Sequence, residues 1–177
     1  MISCDDFLAQ GCRQLGLDLT PAQLAHLCRY YGELDKWSKK MNLVARADRA
    51  EILTSHFLDS LTLLPHLPQN DCRLLDIGSG AGFPGLVLKA VSPQLQVTLV
   101  EPRGKRVAFL RHIIRTLALT GVTVVDERLE ADAAMVARLG PFDLVTSRAF
   151  ADLSVILTLA GAYVRPGGPR GRRPEGG

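Results

Sequence analysis

Apolar residues recur at helical spacing in the first third of the chain and at strand spacing in the rest. Thr20-Pro21 pairs a capping residue with a proline in the first helical position, and Leu24, Leu27, Tyr31 and Leu34 then share one helix face. A further helix is expected from about Asp48, with Leu53, Phe57, Leu61 and Leu64 on its apolar side. Pro65 and Pro68 bracket the passage out of this helical segment. Beyond them the pattern changes. Leu74-Leu75-Asp76-Ile77 is a short apolar run, and Leu95-Gln96-Val97-Thr98-Leu99-Val100 alternates. Val122-Thr123-Val124-Val125 and Phe142-Asp143-Leu144-Val145-Thr146 predict a third and a fourth strand. Helical stretches separate the four runs, the first being Leu86-Val87-Leu88-Lys89-Ala90-Val91. Strands alternating with helices predict an α/β domain built on a parallel sheet. The expected division is a helical segment over 1–68, an α/β domain over 69–168 and a tail over 169–177.

The first strand runs into Gly78-Ser79-Gly80-Ala81-Gly82-Phe83-Pro84-Gly85. A glycine-rich turn between a buried strand and a helix lets backbone approach a nucleotide-like ligand, because no Cβ stands in the way. Gly78 and Gly80 are therefore candidate ligand contacts. Gly80-Ala81-Gly82-Phe83-Pro84-Gly85 also fits the dinucleotide pattern Gly-x-Gly-x-x-Gly formally, so a nicotinamide-dependent oxidoreductase is a competing reading. A bulky Phe83 and a proline at the close-approach positions suit a ligand without a diphosphate better. Asp76, directly before the loop, would repel a pyrophosphate and attract a cationic sulfonium amino acid. The loop thus reads as one for S-adenosyl-L-methionine. Glu101 closes the second strand, where a carboxylate can accept hydrogen bonds from both ribose hydroxyls or cap the following helix. After the third strand, Leu129 can pack on an adenine face while Glu130 or a backbone amide reads its edge. The fourth strand delivers Ser147-Arg148-Ala149 to the same edge of the sheet.

These motifs occur in a fixed order. His56-Phe57-Leu58-Asp59-Ser60 is followed by Asp76-Ile77-Gly78-Ser79-Gly80-Ala81-Gly82-Phe83-Pro84-Gly85, then by Gly104-Lys105-Arg106-Val107-Ala108-Phe109-Leu110, then by Ser147-Arg148-Ala149-Phe150. In this combination the chain resembles the bacterial small-subunit rRNA methyltransferase G family, formerly called glucose-inhibited division protein B. The resemblance extends from about Trp37 to Gly168. It implies a Rossmann-like methyltransferase fold and transfer of a methyl group from S-adenosyl-L-methionine to N7 of one guanine in 16S rRNA, in the cytoplasm. It also implies that Gly78, Phe83, Leu129, Glu130 and Arg148 contact the cofactor, with Glu101 on its ribose. The partner would be 16S rRNA or the small ribosomal subunit. No catalytic acid or base is expected, because guanine N7 has no proton to lose. An arginine facing the purine would oppose the positive charge that the ring acquires, so Arg148 is expected to hold a carboxylate or phosphate instead.

Composition narrows this little. The formal charge of +3 is mild, so any RNA-binding surface must be local. One basic cluster, Arg29, Lys36, Lys39, Lys40, Arg46 and Arg49, lies in the helical segment. A second, Arg103, Lys105, Arg106, Arg111 and Arg115, lies in the helix after the second strand. Lys105, Arg106 and Arg111 are the candidate RNA contacts, with solvated helix faces as the alternative. A non-catalytic RNA-binding or assembly protein is therefore a third reading. His56 is expected to be a packed histidine bonded to a neighbour rather than a catalytic one. Cys4, Cys12, Cys28 and Cys72 form no Cys-x-x-Cys pair and are expected to be thiols. No metal site, membrane span or secretory leader is expected. Pro169-Arg170-Gly171-Arg172-Arg173-Pro174-Glu175-Gly176-Gly177 cannot form the apolar strand expected next. The C-terminal strands of the family's sheet are accordingly expected to be missing, leaving the fourth strand as an open edge.

Overall fold

The computed structural model describes residues 2–45, 48–68, 71–148 and 152–166. Helix α1 (Cys4–Gln14) is capped by the Ser3 side chain, and α2 (Pro21–Ser38) opens on a reciprocal capping box between Thr20 and Gln23. The helix expected from Asp48 forms in three pieces without a break. An α-helical turn, α3 (Arg49–Ile52), passes into a π-helical turn (Leu53–Leu58) and then into α4 (Asp59–Leu61). Leu53, Phe57 and Leu61 are fully buried as the spacing predicts, whereas Leu64 falls in a separate 3-10 turn (Leu64–His66).

The α/β part follows as β1 (Arg73–Ile77), α5 (Gly85–Val91), β2 (Gln96–Val100), α6 (Gly104–Thr116), β3 (Val122–Val125), α7 (Ala133–Leu139), β4 (Leu144–Ser147) and α8 (Leu153–Tyr163). All pairings are parallel, in the order β3-β2-β1-β4. The chain therefore leaves β1 on one side to build β2 and β3, then returns to the other side with β4. Ligands of open α/β sheets bind at the carboxyl ends of the strands flanking such a reversal.

Alternation along β1 divides the interior. Leu74, with Val97 and Leu99 of β2, faces a core shared with α2, the π-helical turn, α5 and α6. Leu75 and Ile77 face a smaller core with Met135 of α7 and with Leu159 and Tyr163 of α8. The helical segment is thus one wall of the sheet's main core rather than a detached unit. At its centre Tyr30 is fully buried against Phe57, Phe83 and Phe109.

Two expectations are corrected. Cys4 and Cys28 are not thiols: they form a disulfide joining α1 to α2, with Cα atoms 5.8 Å apart. Helix packing brings together residues 24 positions apart, which spacing could not announce. Cys12 and Cys72 are free and buried. The fourth strand begins at Leu144 rather than Phe142, because Phe142 pairs instead with Val164, just past α8. Its amide donates to the Tyr163 carbonyl, and the Arg165 amide donates back to Phe142. Among the described residues β4 is an edge of the four-stranded sheet. Leu153, Val155 and Leu157 of α8 are exposed beside it. The expected tail lies outside the described residues.

Candidate functional site

A cavity of about 730 Å³ opens at the carboxyl ends of β1 and β2. Its floor is the glycine loop. Gly78 and Gly80 adopt φ of +70° and +58°, and the Gly78 and Ser79 amides both donate to the Val100 carbonyl at 2.9 and 3.0 Å. This left-handed geometry is one that side chains with a Cβ adopt at a cost, which is why glycines stand there. Backbone from Ile77 to Ala81 is presented to the cavity without side chains over the two glycines.

Glu101 lines the same cavity beside the loop and is only 2% exposed. One carboxylate oxygen accepts the Gly80 amide at 2.9 Å, the other the Arg103 amide at 2.9 Å. The carboxylate therefore caps the start of α6 and braces the loop while lining the cavity. The Arg106 guanidinium stands 3.7 Å from it.

Asp76 departs from its expected place. Successive strand residues point to opposite faces. Ile77 reaches the cavity, so Asp76 turns to the other side, fully buried under the loop. It accepts the Gly85 amide at 3.1 Å and the Thr146 hydroxyl at 3.3 Å. A Cβ on Gly85 would come within 2.8 Å of that carboxylate and 2.7 Å of Leu99, so the helix start can approach only as glycine. Asp76 is a bracket between β1, β4 and α5, not a wall of the cavity. Burial pushes its pKa up to about 7, against the lowering effect of the Gly85 and Thr146 hydrogen bonds. A carboxyl whose folded pKa exceeds its unfolded value near 4 favours folding fully below that pH and loses the contribution as pH rises towards 7. Stability is therefore expected to fall by about 3 kcal/mol between pH 4 and pH 7 from this group. Asp76→Asn keeps an acceptor for Gly85 and should flatten that slope in urea titrations. An unchanged slope would show that Asp76 is ionised in the folded chain.

Phe83 and Arg148 line the cavity together with His56. Phe83 stacks on Tyr30, with centroids 5.7 Å apart, and on His56 at 5.0 Å. Arg148 donates to the Ser55 carbonyl at 3.1 Å, to Asp59 at 3.4 Å and to Nδ1 of His56. Its guanidinium lies 5.5 Å from the Phe83 ring centre. It holds the Asp59 carboxylate, and it ties the end of β4 to the π-helical turn. His56 is the packed, bonded histidine anticipated from the sequence, although its partner is Arg148 from the far end of the chain. Burial first and Arg148 second hold its pKa below the usual imidazole value, with Asp59 opposing.

Of the remaining candidates, Leu129 lines the cavity and Glu130 does not. The side chain of Glu130 faces a separate depression beside Asp132 and Arg138. Its backbone is taken up by Met135 and by the Tyr163 hydroxyl, so the segment after β3 presents Arg128 and Leu129 to the cavity instead. Lys105, Arg106 and Arg111 of α6 have different surroundings. Arg106 turns into the cavity wall, Arg111 is paired with Asp126 at 3.0 Å, and Lys105 is exposed. Arg46 and Ala149 lie outside the described residues. Leu43, Val44, Arg103, Arg128 and Leu159 line the cavity without having been singled out for it. Leu43 and Val44 sit in a loop that carries no periodic signal. Among the described residues no cluster of metal-ligating side chains occurs, and no helix is long and apolar enough to cross a membrane.

Known proteins resemble the chain in sequence and in fold. The ribosomal RNA small subunit methyltransferase G of Desulfotalea psychrophila is 47% identical over 160 residues, covering 90% of this chain and 73% of that protein. The protein of the same name from Chloroflexus aggregans is 44% identical, covering 90% of this chain and 68% of its own length. In fold, the C-terminal domain of precorrin-6Y C5,15-methyltransferase from Rhodobacter capsulatus superposes with a TM-score of 0.51 at 19% identity, covering 71% of this chain and 62% of that one. The family described as GidB, rRNA small subunit methyltransferase G, matches residues 23–170. The chain, with its glycine loop, strand-end glutamate and Arg148 in one cavity, belongs to the rRNA small subunit methyltransferase G family.

Proposed function

We propose that this chain transfers a methyl group from S-adenosyl-L-methionine to N7 of a guanine in 16S rRNA. The observation that carries the reading is one cavity in which bare backbone at Gly78 and Gly80 faces a buried carboxylate at Glu101. Such a set fits an adenosyl amino acid: Glu101 for ribose hydroxyls, Ile77, Val100 and Leu129 for a flat ring, and the loop backbone for the remainder. When bound, S-adenosyl-L-methionine supplies an electrophilic methyl carried on a sulfonium. Guanine N7 has an in-plane lone pair and no proton, so no residue has to act as a base. The residues of the chain contribute binding and alignment, which in favourable cases supply about 7–11 kcal/mol of a barrier.

Two of the four arginines that line the cavity are balanced by carboxylates. Positive charge moves into the guanine during transfer, so free cations beside it are unfavourable. Arg148 is matched by Asp59 and Arg106 by Glu101. Arg103, Lys105 and Arg128 are exposed and form no ion pair among the described residues, which makes them better phosphate contacts than Arg106 or Arg111. Replacing Arg103 and Lys105 with alanine is expected to flatten the salt dependence of rRNA binding by about one unit of slope per contact. Arg111→Ala should leave the slope nearly unchanged. Equal effects from all three would return them to a single continuous surface.

The direct test incubates the chain with labelled S-adenosyl-L-methionine and either naked 16S rRNA or the small ribosomal subunit, then maps N7-methylguanine along the RNA. One methylated guanine in either substrate is the expected result. No label in both, or label on another atom, would overturn the reading.

A further inference from the structure

Both purines offer a nucleophilic N7, so N7 itself does not distinguish guanine from adenine. The neighbouring atom on the same edge does. Guanine presents the O6 acceptor there, and adenine presents an amino donor. A site selective for guanine therefore gains from a fixed N–H donor beside the reacting nitrogen.

His56 has the properties of such a donor. It lines the cavity, and its ring plane is set by stacking on Phe83 at 5.0 Å with planes inclined by 21°. Nδ1 faces the Arg148 guanidinium, which has only donors to offer. Nδ1 must therefore accept, and the ring proton sits on Nε2. Nε2 has no hydrogen-bond partner among the described residues, yet it is not among the polar atoms walled off from solvent. Burial and Arg148 together favour the uncharged ring. A neutral donor suits this reaction better than a lysine or arginine, because it adds no full positive charge next to a ring that becomes cationic. Of the cavity arginines, Arg148 is engaged with Asp59 and Ser55 and Arg106 with Glu101, while Arg103 and Arg128 are exposed and form no ion pair among the described residues.

We infer that the Nε2–H of His56 reads the O6 carbonyl of the target guanine, with Arg148 fixing the tautomer. This inference rests on guanine N7 being the acceptor, as proposed above. His56 is then a specificity-determining residue that touches the substrate, and Arg148 is a positioning residue that acts through it. Neither exchanges a proton with the base.

The test compares 16S rRNA carrying guanine, inosine or 2-aminopurine at the methylated position. Inosine keeps O6, and 2-aminopurine lacks it while keeping N7. The parent chain is expected to methylate inosine RNA nearly as well as guanine RNA. It should methylate 2-aminopurine RNA with kcat/KM roughly ten- to a hundredfold lower, because Nε2–H is left unpaired. His56→Phe keeps the ring on Phe83 but has no donor, so it should methylate guanine and 2-aminopurine RNA at similar, reduced rates. His56→Gln restores a donor and should restore part of the discrimination. Cofactor affinity should be little changed in both variants. A purely structural role would lower all substrates equally and leave the guanine to 2-aminopurine ratio at its parent value, which overturns the inference. A parent chain that does not discriminate overturns it without any variant. A parent chain that methylates no guanine N7 overturns the proposed function, a separate result from a failed ratio.

Discussion

Gly78→Val is expected to abolish measurable S-adenosyl-L-methionine binding while the helices of residues 4–61 remain folded. Gly78 adopts φ of +70°, a region in which a β-branched residue is a genuine outlier. The conformational cost alone is roughly 1–2 kcal/mol. The larger part is steric. The residue lines the cavity, and its amide is fixed by a 2.9 Å hydrogen bond to the Val100 carbonyl, so the loop can relieve the strain only by giving up its register on β2. Either outcome closes the backbone surface against which the cofactor would lie. Each 1.4 kcal/mol is a factor of ten, so a loss beyond about a hundredfold is expected in calorimetry. Far-ultraviolet circular dichroism should stay close to that of the parent. Unchanged affinity would show that the ligand does not approach the loop at Gly78.

Tyr30→Ala is expected to cause the largest loss of stability among single substitutions considered for this chain. Tyr30 is fully buried, edge-on to Phe57 at 5.2 Å and parallel to Phe83 at 5.7 Å. Its hydroxyl donates to the Ala81 carbonyl in the glycine loop. Emptying an aromatic site of this kind costs about 3–5 kcal/mol, and an unpaired buried carbonyl adds about 1–3 kcal/mol. Whole domains hold only about 5–15 kcal/mol, so the variant should be largely unfolded in moderate urea. Tyr30→Phe separates the two contributions. It keeps the rings and removes only the bond to Ala81, so it should cost the smaller amount and also weaken cofactor binding by loosening the loop. Parent-like stability and affinity in Tyr30→Phe would show that this hydroxyl does not hold the loop in place.

The elements were legible because each carries a local signal. Capping at Thr20-Pro21, alternation in Leu95–Val100 and the glycines after Ile77 each dictate backbone conformation within a few residues. The strand-end position of Glu101 was legible for the same reason. Errors fell where a side chain's direction or partner depends on distant chain. The place of Asp76 beside the loop points to the cavity, but strand alternation turns it beneath the loop towards Gly85 and Thr146. The place of Glu130 after the third strand points to the cavity, while Tyr163 of α8 takes up its carbonyl. The disulfide needs α1 and α2 packed before Cys4 can meet Cys28. Arg148 and His56 are 92 positions apart, and neither residue's surroundings name the other.

The π-helical turn over Leu53–Leu58 has a further consequence. Such a turn holds one more residue than an α-helical turn in the same stretch, and each residue of an α-helix rotates the chain by about 100°. Deleting a single residue there would restore an ordinary helix and swing everything on one side of the deletion round by that angle. Asp59, Ser60 and Leu61 would keep their packing only if Ser55 and His56 left Arg148 and Phe83, and the reverse is equally true. The ring of His56 is thus held in the site by an integer, the number of residues between Ile52 and Asp59, which substitution leaves untouched and a one-codon deletion would change.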